Sequence, residues 1–147
     1  MLDELEALYR AKLPEFRRVA AAIAGDRELG RDAVQEAFAS AVRQRRGFRG
    51  SGSLEAWVWR IVVNAARDAR RRQGAPLQHE PATIAHTPVL PLDLLTERQR
   101  EIVFLHYYAD LDYAAIAEAL EISAGTVGAT LNAARRTLRQ ALEEVQA

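Results

Sequence analysis

The sequence predicts an all-α protein built from two small helical domains that a proline-rich linker joins. Apolar residues recur at steps of three and four through most of the 147-residue chain, which is the spacing of amphipathic helices. That pattern stops over residues 74–91, which hold four of the five prolines. Beyond it, two short helical patterns flank a tight turn, as in a helix-turn-helix. We therefore expect domains at 1–73 and 92–147, with a flexible linker at 74–91.

Composition excludes several classes of protein. The chain has no cysteine, which excludes a disulfide framework and thiolate metal sites. No apolar run reaches the roughly 20 residues of a membrane span, so we expect no membrane insertion and a cytoplasmic location. The three histidines are scattered and form no recognised catalytic or metal-binding pattern. We expect no enzymatic activity, no metal and no cofactor.

The formal net charge of +0 conceals a strong asymmetry between the two predicted domains. Residues 1–73 contain 15 Lys and Arg against 10 Asp and Glu, whereas residues 96–147 contain 5 against 8. Lys12 is the only lysine, so the positive charge of the first domain comes almost entirely from arginine. The planar guanidinium suits phosphate groups and base edges.

Two helices are predicted before residue 46. The first carries an apolar stripe from Leu5 to Ile23, with Pro14 as a kink or break between two helical pieces. The second runs from about Leu29 to Arg45 and turns apolar residues inward as far as Val42. Its outward ridge consists of Asp32, Gln35 and Glu36.

A basic loop with Phe48 and Arg49 precedes a long helix over Leu54–Arg72, which Ser53 is placed to cap. One face of that helix carries an aromatic ring, an amide and three guanidiniums: Trp57, Arg60, Asn64, Arg67 and Arg71. Such a combination is typical of surfaces that stack unpaired bases and hold a single-stranded backbone. In the alternative interpretation, Trp57 and Trp59 belong to the core and the arginines only solubilise the domain.

The second domain begins with a capping box, Thr96 and Gln99, at the start of a supporting helix. The helix-turn-helix follows over residues 111–138. Its first helix, Tyr113–Leu120, is capped by Asp112, and Ala117 is expected where the two helices cross. Ile122 is expected as a buried plug in the turn, and Ser123 as the cap of the next helix.

The last helix directs Val127, Leu131, Leu138, Leu142 and Val145 inward. Its outward face can therefore lie in a DNA major groove. That face contains Gly125, Gly128 and Ala129, so few side chains on it could read bases. A helical hairpin in an ordinary core has the same periodicity and stays open as an alternative.

Five segments together resemble the extracytoplasmic-function sigma factors of bacterial RNA polymerase, and they occur in the order of that family's two domains. They are DAVQEAF at 32–38, FRG at 48–50, LEAWVWRIVVN at 54–64, LTERQREI at 95–102 and YAAIAEALEISAGTV at 113–127. The resemblance implies two partners, core RNA polymerase and promoter DNA, and leaves an anti-sigma factor open.

The resemblance also implies roles for particular residues. Asp32, Gln35 and Glu36 would dock on the polymerase clamp. The Phe48–Arg72 segment would recognise and open the minus-ten element, with a flipped non-template base held by the loop before the helix and by residues near Asn64. The second domain would read the minus-thirty-five element and rest on the polymerase flap. Its expected DNA contacts are Ser123, Thr126, Asn132, Arg135 and Arg136.

Two other functions are compatible with parts of the pattern. A free-standing helix-turn-helix regulator would bind palindromic duplex DNA without polymerase. A purely protein-binding helical module, such as a sigma-like decoy or antagonist, would bind a protein partner and no DNA. Dependence on core polymerase and a preference for unpaired DNA distinguish the sigma factor from both.

Overall fold

The computed structural model describes residues 1–50, 52–73 and 92–146, and all regular secondary structure within them is helical. This confirms the predicted all-α class, while the predicted linker at 74–91 lies outside the described residues. Short 3₁₀ turns occur at Arg45–Gly47 and Leu92–Leu94. The α-helices are α1 (Leu2–Ala24), α2 (Arg27–Arg43), α3 (Leu54–Gln73), α4 (Glu97–Tyr107), α5 (Tyr113–Leu120) and α6 (Ala124–Gln146).

Helices α1, α2 and α3 pack together as the N-terminal unit, residues 1–73. Its core contains the rings of Phe16, Phe38 and Trp59, with Phe16 centred 5.2 Å from Phe38 and 4.3 Å from Trp59. At the corner between α1 and α2, a Cβ on Gly30 would lie 2.5 Å from the backbone of Ala21. Only glycine allows the two helices to approach this closely.

Pro14 was expected to kink or break the first helix. It does not break it, because α1 continues through Pro14, which is exposed, so that water can solvate the carbonyl that proline leaves unpaired. The expectation for Val42 was wrong. Val42 does not point inward but is 37% exposed. Helix α2 starts and ends two residues earlier than predicted, and Val42 lies in its last turn, beyond the buried stripe that ends at Ala41.

We refer to α4, α5 and α6, residues 92–146, as the C-terminal unit, and its predicted caps are confirmed. Thr96 and Gln99 make a reciprocal capping box. The Asp112 carboxylate accepts a hydrogen bond from Ala115 N–H, and the Ser123 hydroxyl accepts one from Thr126 N–H. Helices α5 and α6 meet at a bend of 104°, within the range expected of a helix-turn-helix.

Ala117, the residue expected where the two helices of the motif cross, is half-buried and packs against the core, while Ala119 is the fully buried alanine of α5. Two packing expectations for the C-terminal unit need correction. Ile122 is half-buried against the core, and Leu142 is 40% exposed. Leu142 lies near the end of α6, past the last part of that helix that α4 and α5 cover. The side chain of Val145 lies outside the described residues.

The two units pack against each other, α3 against α5 and α1 against α4, so that one apolar core extends through both. No single helix among the described residues combines the length and apolar composition of a membrane span. Helices α5 and α6 have the required length and apolar composition only when they are counted together across their 104° bend.

Candidate nucleic-acid and polymerase interfaces

A small cavity of about 210 Å³ lies at the start of α3, between that helix and the basic loop. The Phe48 and Trp57 rings lie beside each other there, with centroids 5.4 Å apart and planes inclined by 50°. Ser53 caps the helix, because its hydroxyl accepts a hydrogen bond from Ala56 N–H at 3.0 Å. The residues that line the cavity are Gly47, Phe48, Arg49, Gly52, Ser53, Trp57, Arg60 and Glu118.

The structure therefore brings together four of the predicted strand-opening residues and separates the two neighbouring tryptophans. Trp57 is half-buried beside the cavity, whereas Trp59 is fully buried and donates its indole N–H to Glu55 at 3.2 Å. Arg60 also lines the cavity, and its guanidinium lies 3.8 Å from the Glu121 carboxylate. A guanidinium beside two aromatic rings can bind a polar ligand that stacks.

Asn64 lies apart from this cavity, in a wider groove of about 690 Å³ between α2 and α3. Asp32 and Glu36 of the predicted polymerase ridge line the same groove, together with Asp68. The amide oxygen of Asn64 accepts a weak hydrogen bond of 3.4 Å from Arg67. One stripe of α3 thus contributes residues to two concave surfaces. Arg71, two turns beyond Asn64, is exposed.

Arg67 makes the strongest polar contact between the two units. Its Nε and Nη2 donate to both carboxylate oxygens of Glu101, at 2.6 and 2.5 Å. This hydrogen bonding to Glu101 raises the pKa of the Arg67 guanidinium, although burial acts in the opposite direction. Glu101 is only 1% exposed. Sequence reasoning did not single out Glu101, although a carboxylate that directly precedes the buried run Ile102–Leu105 is a signal for a buried partner.

The predicted polymerase ridge is exposed as expected, and two of its three side chains already have partners. Gln35 donates to the Tyr9 hydroxyl at 2.9 Å, and Arg43 donates to Glu36 at 3.3 Å. Both partners of the Arg43–Glu36 pair are more than 60% exposed. A pair as exposed as this contributes about 0–1 kcal/mol, so a protein partner can replace it at little cost.

On the helix-turn-helix, the outward side of α6 carries an arginine held by an aromatic ring. Arg135 Nε donates to the Tyr107 hydroxyl at 2.9 Å, and its guanidinium lies 5.8 Å from that ring's centroid. This hydrogen bond raises the pKa of Arg135. Asn132 lies one turn before it and accepts a long contact of 3.5 Å, while Arg136 is exposed. Tyr107, which is 55% exposed, was missed because nothing in the helical period separates it from a core residue.

Packing explains the glycine at position 128, although nothing in the sequence indicated this. A Cβ at this position would lie 3.3 Å from the Tyr113 ring, so Tyr113 covers the part of α6 where a longer side chain could otherwise start. Ser123 and Thr126, at the beginning of α6, share a hydrogen bond of 2.8 Å between their hydroxyls. The face offers phosphate-binding groups and few base-reading ones.

These features define a two-part helical DNA-binding protein with an aromatic and arginine-lined cavity in one unit and a helix-turn-helix in the other. Residues 8–75 match the family described as Sigma-70 region 2, and residues 92–138 match Sigma-70, region 4. The two matches cover most of the chain. The protein belongs to the sigma-70 family and is an RNA polymerase sigma factor of the extracytoplasmic-function type.

Curated relatives agree along nearly the whole length. The ECF RNA polymerase sigma factor EcfG of Rhodopseudomonas palustris (strain TIE-1) is 27% identical, over 94% of this chain and 84% of the relative. The RNA polymerase sigma-E factor of Streptomyces antibioticus is also 27% identical, over 95% of this chain and 85% of the relative. These matches favour the sigma factor over the regulator and the protein-binding module.

Two solved structures share the fold. CnrH, solved in complex with the cytosolic domain of CnrY, superposes with a TM-score of 0.79 at 21% identity, over 98% of this chain and 90% of the other. RpoE from Bartonella quintana, solved with the anti-sigma factor NepR, gives 0.73 at 21% identity, over 95% and 97%. The partners of this sigma factor are core RNA polymerase and promoter DNA.

Proposed function

We propose that this sigma factor opens promoters by capturing an unpaired base in the cavity formed by Phe48, Arg49, Trp57 and Arg60. The observation that carries this proposal is the placement of two aromatic rings and two guanidinium groups, those of Arg49 and Arg60, around one small cavity. A protein without nucleotide hydrolysis can favour melted DNA only by binding it more tightly than duplex. Stacking contributes about 1–3 kcal/mol per base, comparable to the cost of unstacking one.

Within this proposal, Asn64 contacts a base next to the captured one, and Arg67 and Arg71 hold the single-stranded backbone. Asn64 is exposed and one helical turn from Arg60, so it can reach bases that the cavity does not enclose. The ridge of Asp32, Gln35 and Glu36 docks on the polymerase clamp. Its carboxylates are exposed and line a groove that can accept basic side chains.

The helix-turn-helix is proposed to position the upstream DNA mainly through phosphates. Its contacts would come from the α6 N-terminal groups Ser123 and Thr126 and from Asn132, Arg135 and Arg136. The protein is proposed to act without enzymatic activity, in the cytoplasm with polymerase, as two domains at 1–73 and 92–147 joined by a linker at 74–91. An anti-sigma factor is a further proposed partner, by analogy with the complex of RpoE and NepR.

Permanganate footprinting of reconstituted holoenzyme tests the cavity. A promoter selected from a random-sequence library supplies the DNA, both as duplex and with a pre-melted bubble. We expect Arg60→Ala to lower thymine reactivity on duplex about tenfold and much less on the bubble, because the lost contact stabilises the open form. Arg10→Ala, an exposed arginine that does not line the cavity, is the matched control. Equal reactivity of Arg60→Ala and Arg10→Ala on duplex would refute the assignment.

A second measurement separates base reading from backbone binding. Asn64→Ala should change the preferred base in the downstream element, whereas Arg71→Ala should weaken binding to all DNA sequences by a similar factor. Selection of promoters from the same library by each holoenzyme provides the readout. An unchanged base preference for Asn64→Ala would show that this amide does not read the sequence.

A further inference from the structure

Three carboxylates of the C-terminal unit face the proposed strand-opening surface of the N-terminal unit. They belong to Glu101, Glu118 and Glu121. We propose that in the free protein these carboxylates occupy positions that DNA phosphates would take, so that the C-terminal unit masks the surface until the two units separate. This inference rests on the proposed function of that surface.

Glu118 lies directly at the cavity. Its Oε2 accepts a hydrogen bond of 3.1 Å from the backbone N–H of Ser53, at the start of α3. A Cβ on Gly52 would lie 2.8 Å from the same oxygen, so the carboxylate sits tightly against the loop. Backbone N–H groups at a helix start bind phosphate and carboxylate alike. Glu118 therefore fills an anion position on the rim of the cavity.

The other two carboxylates engage the arginines. Glu101 takes both donors of the Arg67 fork, and Glu121 lies 3.8 Å from Arg60. A guanidinium fork binds carboxylate and phosphate with the same bidentate geometry. Arg67 therefore cannot hold Glu101 and a phosphate in that geometry at the same time. Binding of a DNA strand along α3 requires the pair to open.

Burial indicates which of these contacts holds the units together. Glu101 and Arg67 are 2% and 19% exposed at their side chains, whereas Arg60 and Glu121 are 37% and 66% exposed. A buried carboxylate without its partner is strongly unfavourable, while exposed pairs contribute little. The Arg67–Glu101 pair thus secures the masked arrangement, and Glu118 and Glu121 compete with DNA at its edge.

The charge distribution fits this arrangement. Residues 1–73 contain 15 basic against 10 acidic residues, and residues 92–146 contain 5 against 9. Opposite net charges draw the two units together over distances beyond direct contact. An acidic helix-turn-helix unit is poorly suited to attract duplex DNA by itself, but it is well suited to cover a basic, single-strand-binding surface.

Affinity for single-stranded DNA tests the inference on the full chain. The test variant carries Glu101→Gln, Glu118→Gln and Glu121→Gln together. The control carries Asp93→Asn, Glu143→Gln and Glu144→Gln, three exposed carboxylates of the same unit, so both variants gain the same net charge. A fluorescein-labelled single-stranded oligonucleotide of mixed sequence is the probe, and anisotropy gives Kd. We expect the test variant to bind at least about tenfold more tightly than the control.

Separation of the units can be measured directly because the chain has no cysteine. Cysteines placed at the exposed positions Ala39 and Arg139 accept a donor and an acceptor dye. We expect energy transfer to fall in the test variant and to stay at the wild-type level in the control. If the triple variant folds poorly, the single variant Glu118→Gln is used in its place, because Glu118 is exposed and its substitution should not disturb folding. This variant should bind the oligonucleotide about threefold more tightly than wild type.

The outcomes separate this inference from the proposed function. Equal affinity of test and control variants would overturn the inference. So would tighter binding that an added Arg60→Ala substitution fails to reduce, because DNA would then be bound elsewhere. The proposed function is decided separately by Arg60→Ala in the holoenzyme, where polymerase is present and opening of duplex is measured.

Discussion

The two units of this sigma factor present different chemistry on their proposed DNA surfaces. In the N-terminal unit, Phe48 and Trp57 border a cavity beside Arg60. In the C-terminal unit, the outward side of α6 is nearly flat, because Tyr113 covers Gly128, and Arg135 is its best-placed cation. A cavity with rings can select an unpaired base, whereas a flat helix face with a few polar groups binds mainly the backbone.

This difference suggests how the work of promoter recognition is divided. We expect base selectivity and strand opening to reside mainly in the N-terminal unit, and orientation on the upstream duplex in the C-terminal unit.

Removal of the Trp57 ring should have the largest effect. Trp57→Ala in the holoenzyme should reduce open-complex formation on duplex about ten- to a hundredfold, because stacking contributes about 1–3 kcal/mol per base. Permanganate reactivity provides the measurement. Trp57→Phe keeps a ring and should retain most of the activity. If the Phe and Ala variants lose activity equally, Trp57 serves packing instead of stacking.

Charge reversal on the ridge should weaken core polymerase binding next most strongly. Asp32→Lys with Glu36→Lys replaces two exposed acidic groups by charges of the wrong sign for a basic partner, and we expect affinity to fall about tenfold. The free energy of unfolding of the isolated protein should change by less than about 0.5 kcal/mol. Glu143→Lys with Glu144→Lys is the control. Equal core affinities of the two variants would exclude the ridge as the docking surface.

Loss of the α6 arginines should have a smaller effect that is uniform across sequences. For holoenzyme binding to upstream duplex, the slope of the logarithm of the binding constant against the logarithm of the salt concentration measures the phosphate contacts. Arg135→Ala with Arg136→Ala should lower the magnitude of this slope by at most about 2, since each phosphate contact accounts for about 0.9. Filter binding across a salt series measures this slope. A change in the preferred upstream bases would contradict the prediction, because it would assign base reading to these arginines.

Tyr107→Phe should have the smallest effect. The substitution keeps the ring and removes only the hydroxyl that accepts the 2.9 Å bond from Arg135. Binding to upstream duplex should weaken about two- to threefold, with thermal stability nearly unchanged. Adding Tyr107→Phe to Arg135→Ala should then cause no further loss. An additive loss would mean that Tyr107 contacts DNA independently of Arg135.

Much of the fold and part of the site follow from the sequence alone, because the relevant forces act within a few residues. The caps Asp112, Ser123 and Thr96 bind backbone groups three residues further along. Apolar residues repeat with the period of the helix itself. The helix-turn-helix, the basic loop and the exposed ridge were predictable for this reason.

Only the tertiary structure decided which member of similar residue pairs has which role. Trp57 and Trp59 are two positions apart on one helix, yet packing against Phe16 buries Trp59 and leaves Trp57 beside the cavity. Arg60 and Arg67 looked like free DNA-binding arginines, but Glu121 and Glu101 face them from the other unit. Such contacts join residues far apart in the chain, so they depend on how the helices pack and leave no periodic signal in the sequence.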